Sequence, residues 1–233
     1  MEKLKITQIV RKSKFHNSVD KLLDNLNEHL SLNVELQKIT CPYPNNGIIN
    51  KIKNILWVLS IKDDIVHVTG DVTYLSTFLF NSRVIITVLD LGMPGFKNSL
   101  KKYFIDFFWN TLPFRKAVRI IAISDKTKEE VIKKYPFTIN KIKRIYVPLS
   151  RGYNFIKIKK NNIFNVLQIA TTLHNKNIER SIESLKNLPV KYHFVGQLTD
   201  KHIQNLKKLN IDINIFYNIS EKQLIQLYKS SNI

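Results

Sequence analysis

The chain has 233 residues, of which 44% are hydrophobic and 10% aromatic, so we expect a substantial buried core and no global disorder. Its single cysteine, Cys41, excludes an intramolecular disulfide and any multi-cysteine metal site, and it favours a reducing compartment. The formal net charge of +19 indicates an anionic partner such as a nucleic acid, an acidic membrane surface or a phosphorylated ligand. A compositional drift toward Lys, Asn and Ile explains most of the lysines equally well.

Neither a secretory signal nor a membrane span is predicted. Residues 1–10 are charged and lack a long apolar run, so they do not have the pattern of a signal peptide. The best candidate for a span, residues 55–61, is far shorter than the ~20 apolar residues that a helix needs to cross a bilayer. We therefore expect a soluble cytoplasmic protein.

The first lobe, residues 1–150, alternates between short β-branched runs and amphipathic helical stretches. Strands are predicted at residues 5–10, 65–69, 84–89, 120–124 and 142–147. Helices are predicted at residues 18–30, 48–60, 74–80 and 100–110. A further helix follows a capping box of Thr127 and Glu130, and residues 41–47 have the Pro, Asn and Gly content of a loop.

After a basic linker at residues 151–162, the alternation starts again and defines a second lobe, residues 163–233. Its strands are predicted at residues 164–170, 192–195 and 213–216, and its helices at residues 175–185, 201–209 and, capped by Ser220 with Gln223, 220–228. Strands separated by helices predict an α/β fold of two Rossmann-like lobes, each with a parallel sheet. Because three strands leave a sheet edge poorly covered, we expect the second lobe to be incomplete.

Open parallel sheets bind ligands at the loops that follow the carboxyl ends of their strands. One such loop follows Ala170, where Asn175 is placed to cap the next helix and Lys176 to occupy its first turn. A lysine there opposes the helix dipole at a cost of ~0.3–1 kcal/mol, whereas a bound phosphate would reverse the sign of that interaction. The residues alone leave a phosphate site and a solvated surface lysine as equal interpretations.

Three loops of the first lobe supply further candidates. These residues are His67, Gly70, Asp71, Asp90 and Ser124. His67 stands in an apolar strand and fits a packed core histidine as well as a site residue, and Asp71 and Asp90 fit capping as well as proton transfer or hydroxyl binding. No second carboxylate lies beside Asp90, and the sequence has no Walker loop, G-x-G-x-x-G motif, His/Cys metal spacing or G-x-S-x-G elbow.

Residues 96–119 combine basic and aromatic side chains. This segment contains one acidic residue, Asp106. It contains six basic residues, Lys97, Lys101, Lys102, Arg115, Lys116 and Arg119. The aromatic residues between them are Tyr103, Phe104, Phe107, Phe108 and Trp109. This combination suits docking onto an anionic membrane surface, although aromatic residues at helical spacing also indicate a core.

Six segments of the chain resemble, in order, motifs of the family 4 glycosyltransferases. They are residues 64–71, 85–90, 121–127 and 141–148 in the first lobe and residues 166–180 and 219–233 in the second. The fifth segment reads VLQIATTLHNKNIER and is similar to the LLQ-IG-x-NKN-x-ER start of that family's donor domain, with Gly196 in place after the following strand. Each motif is weak alone, and their shared order over nearly the whole chain carries the resemblance.

This resemblance implies a GT-B fold and transfer of a sugar from a nucleotide-sugar donor, with retention and without a metal or other cofactor. It implies that Lys176, Thr171 and Thr172 contact the donor diphosphate. On the acceptor side it places His67, Gly70, Asp71, Asp90 and Ser124. The acceptor it implies is a glycan or lipid-linked molecule of cell-surface polysaccharide assembly, at the inner face of the cell membrane. Nucleic acid is not an expected partner, because no nucleic-acid-binding motif accompanies the charge.

The chain departs from the family pattern at four places. Leu89 stands where the family carries a histidine, Ala170 replaces a glycine, and residues 11–16 replace a glycine-rich loop. The family's main donor-binding segment would follow Ile233. We therefore expect a C-terminally truncated fragment with little activity of its own. The alternative is a non-catalytic Rossmann-like module that binds an anionic partner or a membrane surface.

Overall fold

The computed structural model describes four stretches of the chain, residues 4–12, 34–91, 99–147 and 163–233. It divides the chain into two compact units, Met1–Ser150 and Arg151–Ile233. The helix predicted at residues 18–30 and the linker predicted at residues 151–162 fall outside the described residues. Each unit contains a sheet of parallel strands, which confirms the predicted α/β fold class.

The first unit has a six-stranded sheet in the order β2-β1-β3-β4-β5-β6. Its strands are β1 (Leu4–Lys12), β2 (Val34–Pro44), β3 (Ile65–Thr69), β4 (Arg83–Val88), β5 (Arg119–Ala122) and β6 (Ile142–Arg144). Its helices are α1 (Ile48–Val58), α2 (Ser99–Asp106), α3 (Leu112–Lys116) and α4 (Asp125–Lys134), with a π-helical turn at Phe107–Thr111 and 3-10 helices at Gly70–Phe78 and Pro136–Thr138. From β2 onward every crossover moves in the same direction, so right-handed connections place these helices on one face of the sheet.

The core of the first unit lies between that face and its helices. Val66, Val68 and Ile86 point toward the helices because side chains alternate between the two faces of a strand, and all three are fully buried. Leu75 and Phe114 join them in one buried cluster. Burying a side chain of this size contributes ~1.5–3 kcal/mol, so the central strands are held firmly and their ends are fixed in place.

Strand β2 has no counterpart among the predicted elements, and the loop predicted at residues 41–47 is wrong where β2 extends to Pro44. β2 is an edge strand, which tolerates proline because fewer of its backbone groups must pair. The Tyr43 backbone N–H donates to Asn54 Oδ1 (3.1 Å), and Asn54 Nδ2 donates to the Tyr43 carbonyl (3.0 Å). The Asn54 side chain thus makes the two hydrogen bonds that a neighbouring strand would otherwise make with Tyr43. The local composition of residues 41–47 does not reveal this contact.

Two helices begin at residues other than the predicted ones. A 3-10 helix, Gly70–Phe78, replaces the helix predicted at residues 74–80. The cap of α4 is Ser124 rather than Thr127, since Ser124 Oγ accepts a hydrogen bond from the Thr127 backbone N–H (3.1 Å). Among the helices that the structure describes, none is long and apolar enough to cross a bilayer.

The second unit has a three-stranded sheet in the order β7-β8-β9. Its elements are β7 (Phe164–Ile169), a 3-10 turn (His174–Lys176), α5 (Ile178–Ser184), β8 (Val190–Val195), α6 (Asp200–Lys208), β9 (Asp212–Phe216) and α7 (Glu221–Ser230). Tyr192 and Phe194 are fully buried in a cluster with Leu206. The predicted capping box of Ser220 and Gln223 is confirmed at the start of α7.

Strand β7 has a neighbour on each side. β8 pairs with one edge, and residues 231–233 run along the other, where the Asn232 N–H donates to the Asn165 carbonyl (2.8 Å) and the Leu167 N–H donates to the Ile233 carbonyl (2.7 Å). The chain therefore places β8 and β9 to one side of β7 and its later residues to the other.

Gly196 follows β8 with φ of +139°, and a Cβ atom at this position would lie 2.1 Å from the Ala170 carbonyl oxygen. Gly196→Ala should destabilise the chain by ~3 kcal/mol or more, because overlap with a backbone atom adds to backbone strain. Gly70→Ala is the matched control: its φ is +73° but nothing lies within 4 Å, so strain alone should cost ~1–2 kcal/mol. Denaturant unfolding followed by circular dichroism compares the two variants, and equal losses would contradict the close approach at Gly196.

Candidate functional site

The second unit has a cavity at the carboxyl end of β7. Its volume is about 210 Å³, and it is formed by the loop that follows β7 together with residues of α5 and α6. The lining residues are Thr172, Leu173, His174, Asn177, Ile178, Glu179, Arg180 and His202. Open parallel sheets bind ligands at the loops that follow the carboxyl ends of their strands, and this cavity lies in such a position.

The loop that leads into α5 differs from the predicted one. His174–Lys176 forms a 3-10 turn, and Asn177 then adopts the left-handed conformation (φ 50°, ψ 34°) before α5 begins at Ile178. The prediction that Asn175 caps the helix, with Lys176 in its first turn, is therefore wrong. Asparagine tolerates the left-handed region, so Asn177 ends one turn and starts the next helix.

Of the three residues predicted to contact the donor diphosphate, Thr172 lines the cavity. The side chains of Thr171 and Lys176 are exposed and are not part of this lining. Lys176 is fixed by its backbone, whose N–H donates to the Leu173 carbonyl (2.9 Å) and whose carbonyl accepts from Gln168 Nε2 (3.2 Å). The lysine thus lies on a hydrogen-bonded turn beside the cavity instead of at the start of a helix.

Three basic residues that were not predicted as site residues also line the cavity: His174, Arg180 and His202. His202 is buried in the first turn of α6, where its Nδ1 accepts a hydrogen bond from the Thr199 backbone N–H (3.3 Å). In the neutral ring the proton is then on Nε2, which makes that atom a hydrogen-bond donor. The spacing of three residues between Thr199 and His202 could have predicted a capped helix start that places His202 in the first turn, because it is the spacing of a capping box.

The charges of the lining favour an anionic ligand. The one carboxylate, Glu179, accepts a hydrogen bond from Lys201 Nζ (2.7 Å), which lowers its pKa and offsets its charge. Arg180 adds a permanent positive charge to the lining, and Lys176 adds another on the adjacent turn. Across the part of the chain that the structure describes, no group of three or more His, Cys, Asp or Glu side chains is arranged to hold a metal ion.

Asp71 and Gly70, two of the predicted acceptor residues, follow β3 at the carboxyl edge of the first sheet. Gly70 turns the chain out of the strand with φ of +73°. Asp71 Oδ2 lies 3.4 Å from Arg11 Nη1, and the Asp71 carbonyl accepts from Asn45 Nδ2 (2.8 Å). Asp71 therefore ties the end of β1 to the loop after β3, at the point where the order of the first sheet reverses.

Asp90 and Ser124 lie in the loops after β4 and β5, on the same edge of the sheet. Ser124 Oγ is 2.9 Å from Thr127 Oγ1, and that hydroxyl donates to the Leu89 carbonyl (3.3 Å). This chain of hydrogen bonds joins the two loops. Asp90 follows directly after Leu89 and is exposed.

His67 lies inside the sheet instead of at its edge, and it is buried. Gln8 Nε2 donates to its Nδ1 (3.3 Å), so its Nε2 donates to Thr87 Oγ1 (2.7 Å). Burial lowers the pKa of this histidine to about 4, which keeps the ring neutral. The structure thus gives His67 the surroundings of a packed core residue and separates it from the loops that hold Asp71 and Asp90.

No family model matches the chain, and no curated protein matches it either. Solved structures do match. The apo lipopolysaccharide outer core galactosyltransferase WaaB is 13% identical over 98% of this chain and 72% of its own, with a TM-score of 0.66. Anabaena HepE in complex with UDP-glucose is 11% identical over 98% of this chain and 72% of its own, with a TM-score of 0.68. A Listeria monocytogenes protein assigned as a UDP-N-acetylglucosamine 2-epimerase is 10% identical over 99% of this chain and 73% of its own, with a TM-score of 0.58.

These likenesses establish that the chain has the GT-B fold, with two parallel-sheet units. The fold is shared by glycosyltransferases and by a sugar-nucleotide epimerase, so it does not by itself select one reaction. The predicted fold class is confirmed.

The buried, neutral His67 should make stability depend on pH. Its folded pKa of about 4 lies below the ordinary value of 6.5, so the unfolded chain takes up a proton that the folded chain does not. Stability should therefore fall as the pH drops from 6.5 to 4, by up to about 3 kcal/mol, and this contribution should level off below pH 4. Denaturant unfolding at several pH values should show a smaller fall for His67→Gln, whereas exposed His174→Gln should behave like the wild type. Identical profiles for wild type and His67→Gln would contradict this assignment.

Proposed function

We propose that this chain is a glycosyltransferase that binds a nucleotide-sugar donor and transfers its sugar to a glycan or lipid-linked acceptor. The observation that carries the proposal is the cavity at the carboxyl end of β7, in the second unit of a GT-B fold, with Arg180 and two histidines in its lining. A nucleotide diphosphate carries negative charge, and these groups supply the positive charge and N–H donors that it needs.

The donor site we propose is built around the first turns of α5 and α6. Arg180 and His202 would bind the diphosphate oxygens from within the cavity, and Thr172 would donate its hydroxyl. Lys176 and Thr171, on the loop beside the cavity, would contact the same anion from the outside. Lys176 is an exposed cation on a hydrogen-bonded turn and does not lie in the first turn of a helix, so its proposed role depends on its charge and position alone.

Several observations support a uridine nucleotide as the ligand. HepE, which shares the fold, is described in complex with UDP and with UDP-glucose, and S. aureus MnaA, 12% identical with a TM-score of 0.56, is described with UDP. We propose that no metal takes part, since fixed cationic side chains can neutralise a diphosphate in its place. Retention at the transferred sugar follows from the family resemblance of residues 166–180.

The acceptor site we propose is the edge formed by the loops after β3, β4 and β5. Asp71 is engaged by Arg11, and Ser124 is engaged as a helix cap, so both shape the edge. Asp90 is the exposed carboxylate of this edge, and we assign it to bind an acceptor hydroxyl. Gly70 borders open space in the first of these loops, because a Cβ atom at this position would have no neighbouring atom within 4 Å.

Isothermal titration with UDP tests the donor site directly, because it requires binding and not turnover. Arg180→Ala should weaken UDP binding by about tenfold to a hundredfold, the usual value of a hydrogen bond to a charged group, and Lys176→Ala by about tenfold. Arg83→Ala is the matched control: Arg83 is exposed and lies at the opposite, amino end of a strand, so its removal should change nothing.

Titrations with GDP and with pyrophosphate separate the competing functions. The proposal predicts that UDP binds at least about tenfold more tightly than pyrophosphate, which has no base to contact, and more tightly than GDP, whose base differs from that of the ligands described for HepE and MnaA. Equal binding of UDP and pyrophosphate would instead indicate a non-catalytic module for anions. Failure of UDP to bind, or equal binding to wild type and Arg180→Ala, would contradict the proposed donor site.

A further inference from the structure

The first unit exposes a regular apolar stripe on α2 and the π-helical turn that follows it. The stripe consists of Leu100, Tyr103, Phe104, Phe107 and Phe108, whose side chains are between 40% and 78% exposed. Their spacing of three, one, three and one residues puts all five on one side of a helix. An amphipathic helix of a water-soluble protein normally turns such a side toward the core, whereas this one presents it to the surface.

A second exposed stripe runs along α1. It consists of Ile48, Ile49, Ile52, Leu56 and Leu59, and each of these side chains is at least 45% exposed. The other side of α1 already packs inward, because Asn54 and Val58 are buried and Ile55 and Trp57 pack against the core. The exposed stripe therefore does not take part in packing the helix against the core.

The two stripes belong to the same layer of the unit. α1 and α2 follow crossovers that move in the same direction, so both cover the same face of the sheet. The two segments also touch, since Lys51 Nζ of α1 lies 5.4 Å from the centre of the Trp109 ring in the π-helical turn. We call the two stripes together the docking face.

Basic residues accompany the docking face. Ile48–Val58 contains no acidic residue, and Ser99–Lys116 contains one, Asp106. Asp106 already accepts hydrogen bonds from Lys134 Nζ (2.8 Å), Asn110 Nδ2 (2.8 Å) and the Tyr135 hydroxyl, so its charge is offset within the unit. Exposed Lys53 and Lys102 then leave the docking face with a net positive charge.

We propose that the docking face binds the surface of an anionic lipid bilayer. Exposed aromatic and aliphatic side chains would enter the boundary between head groups and acyl chains, and the lysines would contact lipid phosphates. Charge decides against a second copy of the chain as the occupant, because two such faces would repel each other in a protein of net charge +19. Binding to a bilayer requires no nucleotide, so a failure of this proposal can be distinguished from a failure of the proposed donor site.

Co-sedimentation of the full chain with lipid vesicles tests this proposal. We expect binding to vesicles of phosphatidylcholine with about 30% phosphatidylglycerol, and much weaker binding to pure phosphatidylcholine or at ~0.5 M NaCl. Tyr103→Ser with Phe104→Ser should reduce the partition coefficient by about tenfold or more, since both side chains lose apolar contact with lipid. Lys53→Gln with Lys102→Gln should reduce it by about tenfold at ~0.1 M NaCl.

The control is a second pair of exposed residues, Leu188→Ser with Tyr217→Ser in the other unit, which should bind vesicles as the wild type does. Circular dichroism checks that all variants are folded. The proposal is overturned if the wild type does not bind anionic vesicles, or if Tyr103→Ser with Phe104→Ser binds as the wild type does. It is equally overturned if light scattering shows a dimer that this variant abolishes, because the docking face would then be a protein interface.

Discussion

Parallel pairing of strands is the constraint on which the rest of this structure depends. In each unit it brings the carboxyl ends of all strands, and the loops that follow them, to one edge of a sheet. In the second unit, the loop after β7 and the first turns of α5 and α6 lie at that edge and line a cavity. Gly196 permits this arrangement, because any side chain there would collide with the Ala170 carbonyl.

The periodicity of the sequence was sufficient to predict the fold, since buried β-branched strands such as β3 leave a strong local signal. The local details of the site were not predictable in the same way. Lys176 fell outside the helix because Asn177 takes a left-handed conformation, a choice that depends on neighbours and not on propensity. His202 lines the cavity from the first turn of α6, which is distant in sequence from the loop after β7, so local sequence patterns did not connect the two. The end of β2 was predicted as a loop, whereas the side chain of Asn54 completes the backbone hydrogen bonding of Tyr43 there.

The large positive charge of the chain divides into cations with structural partners and cations on exposed surfaces. Lys134 neutralises Asp106, Arg144 donates twice to Asp125 (2.9 and 2.7 Å), and Lys141 Nζ donates to the Ala117 carbonyl (3.0 Å). Such contacts explain why part of the basic excess is tolerated within a folded unit. Some of the exposed cations accompany two places of different character, the polar cavity of the second unit and the apolar docking face of the first, which suit a small anion and an extended anionic surface respectively.

We propose that the loop after β7 and the first turns of α5 and α6 bind a nucleotide diphosphate. Hydrogen exchange of the full chain, measured by mass spectrometry with and without saturating UDP, tests it most directly, because bound ligand slows local opening. The account predicts slower exchange in peptides that cover residues 170–180 and 199–203 and no comparable change in the strands of the first unit. Unchanged exchange throughout residues 163–233 would contradict it.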